Sequence, residues 1–133
     1  MNTAELQNVW APRVLSILRV MSALLFIAHG TQKLLGFPPS DYSPAAFSLS
    51  WIAGVLELFG GALLAIGLFT RPVAFVLSGL MAAAYFLAHA PQSFFPVLNG
   101  GDAAILFCFV FLYLVFAGPG PWSVDAMRAR TPA

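Results

Sequence analysis

Four long apolar segments alternate with short stretches of polar and turn-forming residues along the chain. The segments predict helices over about 13–35, 49–69, 72–90 and 102–117. An apolar helix of about 20 residues is long enough to cross the hydrocarbon core of a bilayer. The pattern therefore predicts an all-α integral membrane protein, a four-helix bundle that forms a single domain over 1–133.

The breaks between segments carry turn signals. Gly36–Phe47 contains three prolines. At the second break Thr70 is a suitable helix cap, and Pro72 fits the first turn of a new helix. Gly118–Pro121 alternates glycine with proline and ends the last segment. These signals favour separate helices over one continuous helix.

The composition agrees with a membrane location. Of the 133 residues, 60% are hydrophobic and 8% are charged, whereas soluble domains carry about 25% charged residues. This small number of charged residues is not enough to cover a surface exposed to water. The protein is therefore expected to be surrounded by lipid. No basic patch is present, which excludes nucleic acid as an expected partner.

Cys108 is the only cysteine. A disulfide within the chain is therefore excluded, and so is disulfide exchange with a quinone by this chain alone, because that chemistry needs paired cysteines. Cys108 lies in the middle of an apolar segment, which favours a packing role.

The basic residues predict the orientation. Arg13, Arg71, Arg128 and Arg130 fall on one side of the predicted bundle, and Lys33 alone lies near the other side. Because basic residues accumulate on the cytoplasmic side, both termini are expected in the cytoplasm. The first segment is long enough to span and lacks a clear cleavage site, so it is expected to stay in the protein.

Glu57 is the one ionisable residue in segment 49–69. On a helix it shares a face with small residues, namely Gly54, Gly61 and Ala65. Small residues let a neighbouring helix approach closely, so Glu57 is expected to point into the bundle. Ionisable groups inside a membrane are usually functional. The other interpretation is a carboxylate that only clamps two helices together.

Further polar residues lie in the outer half of the predicted bundle. His29 lies about 9 Å, and Glu57 about 12 Å, from the outer helix ends at 1.5 Å per residue. Each helix also offers a stripe, and we expect the four stripes to face inward. The stripes are Arg19, Ser22, Phe26, His29 and Lys33; Gly54, Glu57, Gly61 and Ala65; Ser78, Ala82, Tyr85 and His89; and Asp102, Leu106, Phe109 and Tyr113. They predict an outward-opening cavity lined by His29, Lys33, Glu57, Tyr85, His89 and Asp102.

Several of these residues also have simpler interpretations. Lys33 suits an interface position, with its amine reaching water. His89 suits the end of a helix, and Asp102 the start of one. Arg19 is expected to reach the cytoplasmic side or to pair with the tail. A His29–Glu57 or Lys33–Glu57 pair would satisfy both partners.

Metal and haem are not predicted. The sequence has no pair of histidines four residues apart and no Glu-x-x-His motif. His29 is deep enough to serve as an axial haem ligand, but nothing else in the sequence supports a haem.

Several motifs resemble those of the DoxX family. They are HGTQKLLGF (29–37), GVLELFGGALLAIGLFTR (54–71), NGGD (99–102) and GPGPWSVD (118–125). The resemblance covers about Arg13 to Asp125. One departure is Asp102, where the family often has glutamate.

The resemblance implies a four-helix bacterial or archaeal membrane protein, here multi-pass in a bacterial inner membrane. Family members are linked to quinone-coupled sulfur oxidation and to quinol oxidase. The family's polar positions correspond to Lys33, Glu57 and Asp102. The tail aspartate corresponds to Asp125, which is expected to pair with Arg71.

The leading hypothesis is a quinone-linked oxidoreductase subunit. His29 and Lys33 would bind the quinone oxygens, and Glu57 would give or take the proton. The remaining contacts to the ring would come from Gln32, Tyr85, His89 and Asp102. Electrons would come from a partner redox protein or a bound cofactor.

Two other functions remain open. A small proton-coupled transporter would use Glu57 as a shared site for proton and substrate, with a homodimer supplying the pathway. A membrane scaffold would dock soluble redox enzymes, and Glu57 would then be structural.

Overall fold

The computed structural model describes residues 1–130, all of whose regular structure is helical. We label the helices α1 (Ala11–Leu35), α2 (Leu49–Ile66), α3 (Thr70–Ala84), α4 (Asp102–Ala117) and α5 (Val124–Arg130). Helical turns over Thr3–Trp10 lead directly into α1, and a π-helical turn over Tyr85–His89 extends α3. A single turn, Pro96–Asn99, precedes α4. The predicted all-α fold is confirmed.

Three helical stretches are long and apolar enough to cross a membrane, namely Thr3–Leu35, Leu49–Ile66 and Thr70–His89. The fourth, Asp102–Ala117, is apolar but shorter. Its 16 residues extend over about 24 Å. These lengths and compositions are those of a membrane helical bundle.

The helix bounds differ from the prediction at the second break. Helix α2 ends at Ile66, because Gly67 adopts a left-handed conformation (φ 69°) and its N–H caps the carbonyls of Leu63 and Leu64. Helix α3 begins at Thr70, with Phe69 rather than Thr70 at the capping position. Helix α4 has the predicted bounds.

The helices pack as two antiparallel hairpins, α1–α2 and α3–α4. In the first, Lys33 contacts Glu57 near one end, and Arg19 contacts Leu64 near the other. In the second, the hydroxyl of Ser78 donates to the carbonyl of Cys108 across 2.8 Å. We call the end with the breaks 36–48 and 90–101 the loop end, and the opposite end the tail end.

Small residues bring α1 and α2 close together, as the sequence predicts. A β-carbon on Gly30 would lie 2.6 Å from the backbone nitrogen of Leu58. One on Gly61 would lie 2.7 Å from the side chain of Ile27, and one on Gly54 would lie 3.0 Å from Lys33. The two backbones therefore approach to a distance that larger side chains would prevent.

Apolar side chains fill the centre of the bundle. Phe26 of α1 packs edge-on against Phe111 of α4, with ring centroids 4.9 Å apart. Leu64, Leu77 and Leu114 are buried around this pair. Cys108 packs against the same core, in agreement with the expected packing role.

The expected inward face of α4 is wrong. Leu106, Phe109 and Tyr113 are exposed on the outside of the bundle. The helix buries Ala104 and Phe111 instead. Because lipid tails are as apolar as these side chains, exposing large apolar residues has little cost in a membrane.

Arg19 is buried at the tail end and holds the chain that follows α4. Its guanidinium donates to the carbonyls of Leu64 (2.8 Å), Pro119 and Trp122 (2.7 Å). Arg19 therefore reaches the tail, one of its two expected positions. It does so by folding the tail inward rather than by extending into water.

Asp125 caps the start of α3. Its two carboxylate oxygens accept the backbone N–H groups of Phe69 (3.0 Å) and Thr70 (2.9 Å). The expected Asp125–Arg71 pair is wrong: Arg71 donates to the carbonyls of Val115 and Phe116 at the end of α4. Both side chains thus satisfy backbone groups that the helix ends leave free.

Burial alone would raise the pKa of Asp125. The hydrogen bonds from Thr70 and Phe69, together with the positive charge of Arg128, outweigh burial and lower that pKa below its ordinary value. The carboxylate is therefore the favoured form at the start of α3, where a negative charge also complements the helix dipole.

Candidate functional site

Lys33 and Glu57 form an ion pair between α1 and α2. The ammonium nitrogen of Lys33 lies 2.6 Å from Oε1 of Glu57. Glu57 is 3% exposed, whereas Lys33 is 23% exposed and lies in the last turn of α1. One of the two expected pairings of Glu57 is therefore present, and Glu57 points into the bundle as predicted.

The second carboxylate oxygen of Glu57 is free. Oε2 is buried and has no hydrogen-bond partner within residues 1–130. A buried, unpaired carboxylate oxygen costs free energy, since water no longer solvates it. A clamp between helices would not need to leave this atom unsatisfied, and buried polar atoms without a partner are rare in folded proteins.

His29 lies beside the ion pair but faces a different neighbour. It interacts electrostatically with Glu57. Its ring meets the ring of Phe107 in α4 edge-on, with centroids 6.1 Å apart. The imidazole makes no hydrogen bond within the described part of the chain. Both ring nitrogens are therefore available to a bound molecule.

A groove between α1 and α4 runs past His29. Its volume is about 480 Å³, and it opens on the outside of the bundle, where lipid would lie. Its walls are mostly apolar, and they are formed by Ser22, Leu25, Ala28, His29, Ala103, Leu106, Phe107 and Val110. We call this the α1–α4 groove.

Ser22 is the second polar residue of the α1–α4 groove. Like His29, it makes no side-chain hydrogen bond within residues 1–130. The two residues are seven positions apart on α1, which is about 10 Å along the helix. The groove thus presents two unengaged hydrogen-bonding groups separated by apolar walls.

The other predicted site residues lie elsewhere. Tyr85 and His89 belong to the second hairpin, where Nδ1 of His89 lies 3.0 Å from the carbonyl of Asn99 and the Asn99 amide donates to the Tyr85 hydroxyl across 3.4 Å. Gln32 donates to the carbonyl of Pro38 across 3.3 Å. Asp102 is exposed at the start of α4, where a carboxylate suits the helix dipole.

The single cavity predicted from the four stripes is therefore replaced by two separate groups of polar residues. One joins His29, Lys33 and Glu57 in the first hairpin. The other, at the loop end, joins Tyr85 and His89 with Asn99. Within residues 1–130, no group of three histidine, cysteine, aspartate or glutamate side chains is placed to hold a metal ion.

Sequence reasoning missed two residues that organise the molecule. Arg19 does meet the tail, one of its two expected positions, but its burial and its hydrogen bonds to backbone carbonyls of α2 and the tail were not expected. Asn99 is buried and braces the loop before α4, since its side-chain oxygen accepts the N–H of Gly101 across 2.8 Å. The Asn-Gly-Gly sequence was a usable signal for a braced turn there.

Comparison with known proteins bears on the family. The DoxX family description matches residues 14–90, more than half of the chain. The chain belongs to the DoxX family. The resemblance seen in its motifs is thereby confirmed.

Two bacterial proteins are similar to this DoxX protein over most of its length. An uncharacterized protein of Haemophilus influenzae is 43% identical over 122 residues, covering 87% of this chain and 91% of the relative. An uncharacterized membrane protein of Mycobacterium tuberculosis is 26% identical over 137 residues, covering 90% and 83%. No solved structure matches. The comparisons thus place the chain among membrane proteins.

Proposed function

We propose that this DoxX protein is a membrane subunit of a quinone-linked redox system, and that the α1–α4 groove holds the quinone ring. The observation that carries the proposal is the imidazole of His29. It lies without a hydrogen-bond partner in an apolar groove that opens toward lipid. Quinones are dissolved in the membrane, so a ring would reach this groove without passing through water.

The residues of the groove fit such a ring. A volume of about 480 Å³ lies within the range of small-molecule sites, which are mostly apolar with a few placed polar groups. Leu106, Phe107 and Val110 would cover the faces of a flat ring. Ser22 and His29 would each bind one of two oxygens at opposite ends of it.

The chemistry divides between the bound molecule and the protein. A quinone, when bound, carries electrons together with protons. His29 would donate a hydrogen bond to its oxygen, and Glu57 would supply or remove the accompanying proton. Lys33 would hold Glu57 rather than contact the ring, because its ammonium group is already paired. Electrons would come from a partner redox protein.

A proton-coupled transporter is the second candidate, and the free Oε2 of buried Glu57 favours it. Against it, the centre of the bundle is filled by Phe26, Phe111 and Leu114. A transport route would have to run between two copies of the chain rather than through one bundle.

The test is mass spectrometry of small molecules retained by gently purified protein. Leu106→Trp would fill the α1–α4 groove, and His29→Phe would remove its imidazole. Val76→Trp is the matched control, because Val76 lines a similar groove of about 330 Å³ between α2 and α3.

We expect near-stoichiometric quinone in the wild-type and Val76→Trp proteins, and its loss in Leu106→Trp and His29→Phe. A folded wild-type protein that retains no quinone after quinone is added back would overturn the proposal. Equal retention by Leu106→Trp would also overturn it.

A further inference from the structure

We infer that the Lys33–Glu57 pair is a proton-exchange site that connects the α1–α4 groove at His29 with water at the loop end. This inference rests on the proposed function, because the molecule bound in the groove is the final proton acceptor. It adds a route for the proton and the end of the bundle from which the proton comes.

The two carboxylate oxygens of Glu57 have different surroundings. Oε1 is taken by the Lys33 ammonium, and Oε2 is buried without a partner. Oε2 is thus the carboxylate oxygen that remains open to a second partner while Oε1 holds Lys33. The charged or titratable groups that interact with Glu57 are Lys33 and His29, both on α1; none comes from α3 or α4 within residues 1–130.

Lys33 connects this buried carboxyl group with water. It lies in the last turn of α1, and 23% of its side chain is exposed. It is four residues from His29, which is one helical turn or about 6 Å. Lys33, Glu57 and His29 therefore form a series from the loop end to the groove.

The close contact between α1 and α2 excludes water from the space between these two helices beside Glu57. A β-carbon on Gly30 would lie 2.6 Å from the backbone of Leu58, and one on Gly54 would lie 3.0 Å from Cβ of Lys33. Backbones packed this closely leave no room for a water file between the two helices. The partly exposed Lys33 side chain is the ion-pair partner that links Glu57 with the solvent on this side.

The tail end is closed in a different way. Arg19 is the ionisable residue of α1 nearest that end of the core, and its guanidinium donates to the carbonyls of Leu64, Pro119 and Trp122. An arginine held in this way keeps its proton, since guanidinium groups do not deprotonate in proteins. The exchange route therefore opens toward the loop end.

One proton moves along this route from the loop end to the groove. A proton passes from the Lys33 ammonium group to Oε1 of Glu57, so that an N–H bond breaks, an O–H bond forms and the carboxyl group becomes neutral. A hydronium ion at the loop end then returns a proton to the Lys33 amine and becomes water. The O–H bond then breaks as the proton passes to a ring nitrogen of His29. The imidazolium group gives the proton to an oxygen of the molecule in the groove, and no electron moves in these steps.

The test is infrared spectroscopy of the full chain in quinone-free phosphatidylcholine vesicles. Glutamate labelled with carbon-13 in a Glu5→Gln protein marks Glu57 alone, because the chain has glutamate only at positions 5 and 57. Transfer from H₂O to D₂O shifts the carbonyl stretch of a protonated carboxyl group, and the rate of that shift gives the rate of proton exchange.

We expect a labelled carboxyl band that titrates reversibly. Lys33→Met and Lys33→Gln should slow its exchange by about 100-fold, the size of a typical proton-transfer contribution. Arg13→Met is the matched control: it removes a cation from the opposite end of the same helix and should leave the rate unchanged. Exchange at the wild-type rate in both Lys33 variants would overturn the inference, as would the absence of a titrating labelled band.

The measurement uses no quinone, so its result is separate from the retention test. Normal quinone retention with unchanged exchange in the Lys33 variants would reject the route and keep the proposed function. Slowed exchange without any quinone retention would reject the proposed acceptor and keep the proton-exchange site.

Discussion

The guanidinium of Arg19 donates a hydrogen bond of 2.7 Å to the carbonyl oxygen of Trp122, 103 residues further along the chain. A side chain from within the first spanning helix thus fixes the tail against the bundle. The same group also binds a carbonyl near the end of α2. Arg19 therefore joins three parts of the chain that have no covalent reason to meet.

Replacement of Arg19 by methionine should destabilise the protein strongly. The carbonyls of Pro119 and Trp122 would lose their side-chain donor, and unsatisfied groups of this kind cost together about 3 kcal/mol. The carbonyl of Leu64 would keep the N–H of Gly67. Unfolding in mixed micelles, followed by far-UV circular dichroism, measures the loss. Arg13→Met is the control, since Arg13 lies against the exposed ring of Trp10. Equal effects of the two changes would contradict the role given to Arg19.

Asp125→Asn should lower the unfolding free energy at neutral pH. It should also remove the part of the loss of stability at acidic pH that comes from protonation of Asp125. Asp125 caps α3, and loss of such a cap costs about 1 kcal/mol. Because its pKa is lower in the folded protein, the carboxylate contributes stability in full above its ordinary pKa. That contribution is lost as the pH falls through the lower folded-state value.

The measurement is unfolding free energy against pH for the wild-type and Asp125→Asn proteins. The two curves should lie apart at neutral pH and converge at acidic pH. A constant separation down to the most acidic pH at which both proteins fold would exclude the proposed capping charge.

The double mutant Glu57→Gln, Lys33→Met should lose less unfolding free energy than the sum of the losses in the two single mutants. Their charged groups lie 2.6 Å apart with Glu57 buried, and residues in such direct contact typically show an interaction energy of about 1–3 kcal/mol in a double-mutant cycle. The measurement is the unfolding free energy of all four proteins. Additive effects would show that the pair is not coupled in the membrane.

The expression of Glu57→Gln separates two roles of this residue. A folded, monodisperse Glu57→Gln protein would show that Glu57 is not needed as a clamp, and would support a proton or substrate role. Loss of folded protein would favour a clamp between helices. Size-exclusion chromatography of the purified variant decides between them.

Gly30→Ala should destabilise the first hairpin, and Gly79→Ala should not. A β-carbon at position 30 would lie 2.6 Å from the backbone of Leu58, whereas one at position 79 would meet no atom within 4 Å. Overpacking of this kind costs about 1–3 kcal/mol. Unfolding of the two variants under the same conditions is the measurement, and similar stabilities would contradict the close approach of α1 to α2.

Spacing and residue size were sufficient to predict how α1 and α2 meet. Gly54, Glu57 and Gly61 recur at helical intervals, and a carboxylate in an apolar segment has few ways to be satisfied. The inward direction of Glu57 follows from that constraint, and so does a pair with either His29 or Lys33. The choice of Lys33 did not follow from the sequence and is given by the structure. The fold class follows from the four apolar segments for the same reason.

The face of α4 was not predictable in this way. This helix is apolar all round, and lipid accepts apolar side chains as readily as a protein core does. Leu106 and Tyr113 therefore carry no signal that distinguishes inside from outside. One wall of the groove beside His29 is formed by α4. The α1–α4 groove was therefore not predictable from the sequence, for the same reason.

Arg19 was difficult to predict because its partners are backbone carbonyls. Carbonyl groups are present at every residue, and the sequence does not show which ones the tail presents. The inward fold of 118–122 depends on how the glycine and proline residues there turn the chain. Asp125 illustrates the same point. Its carboxylate accepts hydrogen bonds from backbone N–H groups at the start of α3, and not from the guanidinium group of Arg71.

The hydrogen bonds that link the two hairpins within residues 1–130 all lie at the tail end. They involve Arg19, the Ser16–Trp122 contact and the N–H of Asp125, which donates to the carbonyl of Gly67 across 2.9 Å. Toward the loop end, the hairpins meet through apolar contacts such as that between Phe26 and Phe107, which lipid tails can replace.

A small rotation of one hairpin against the other about the tail end would therefore break no hydrogen bond. It would widen the groove beside His29 and admit a flat molecule sideways from the bilayer. The Lys33–Glu57 pair would move as a unit during this rotation, because both of its members belong to the first hairpin. Such a rotation would therefore widen the α1–α4 groove without altering the contact between Lys33 and Glu57.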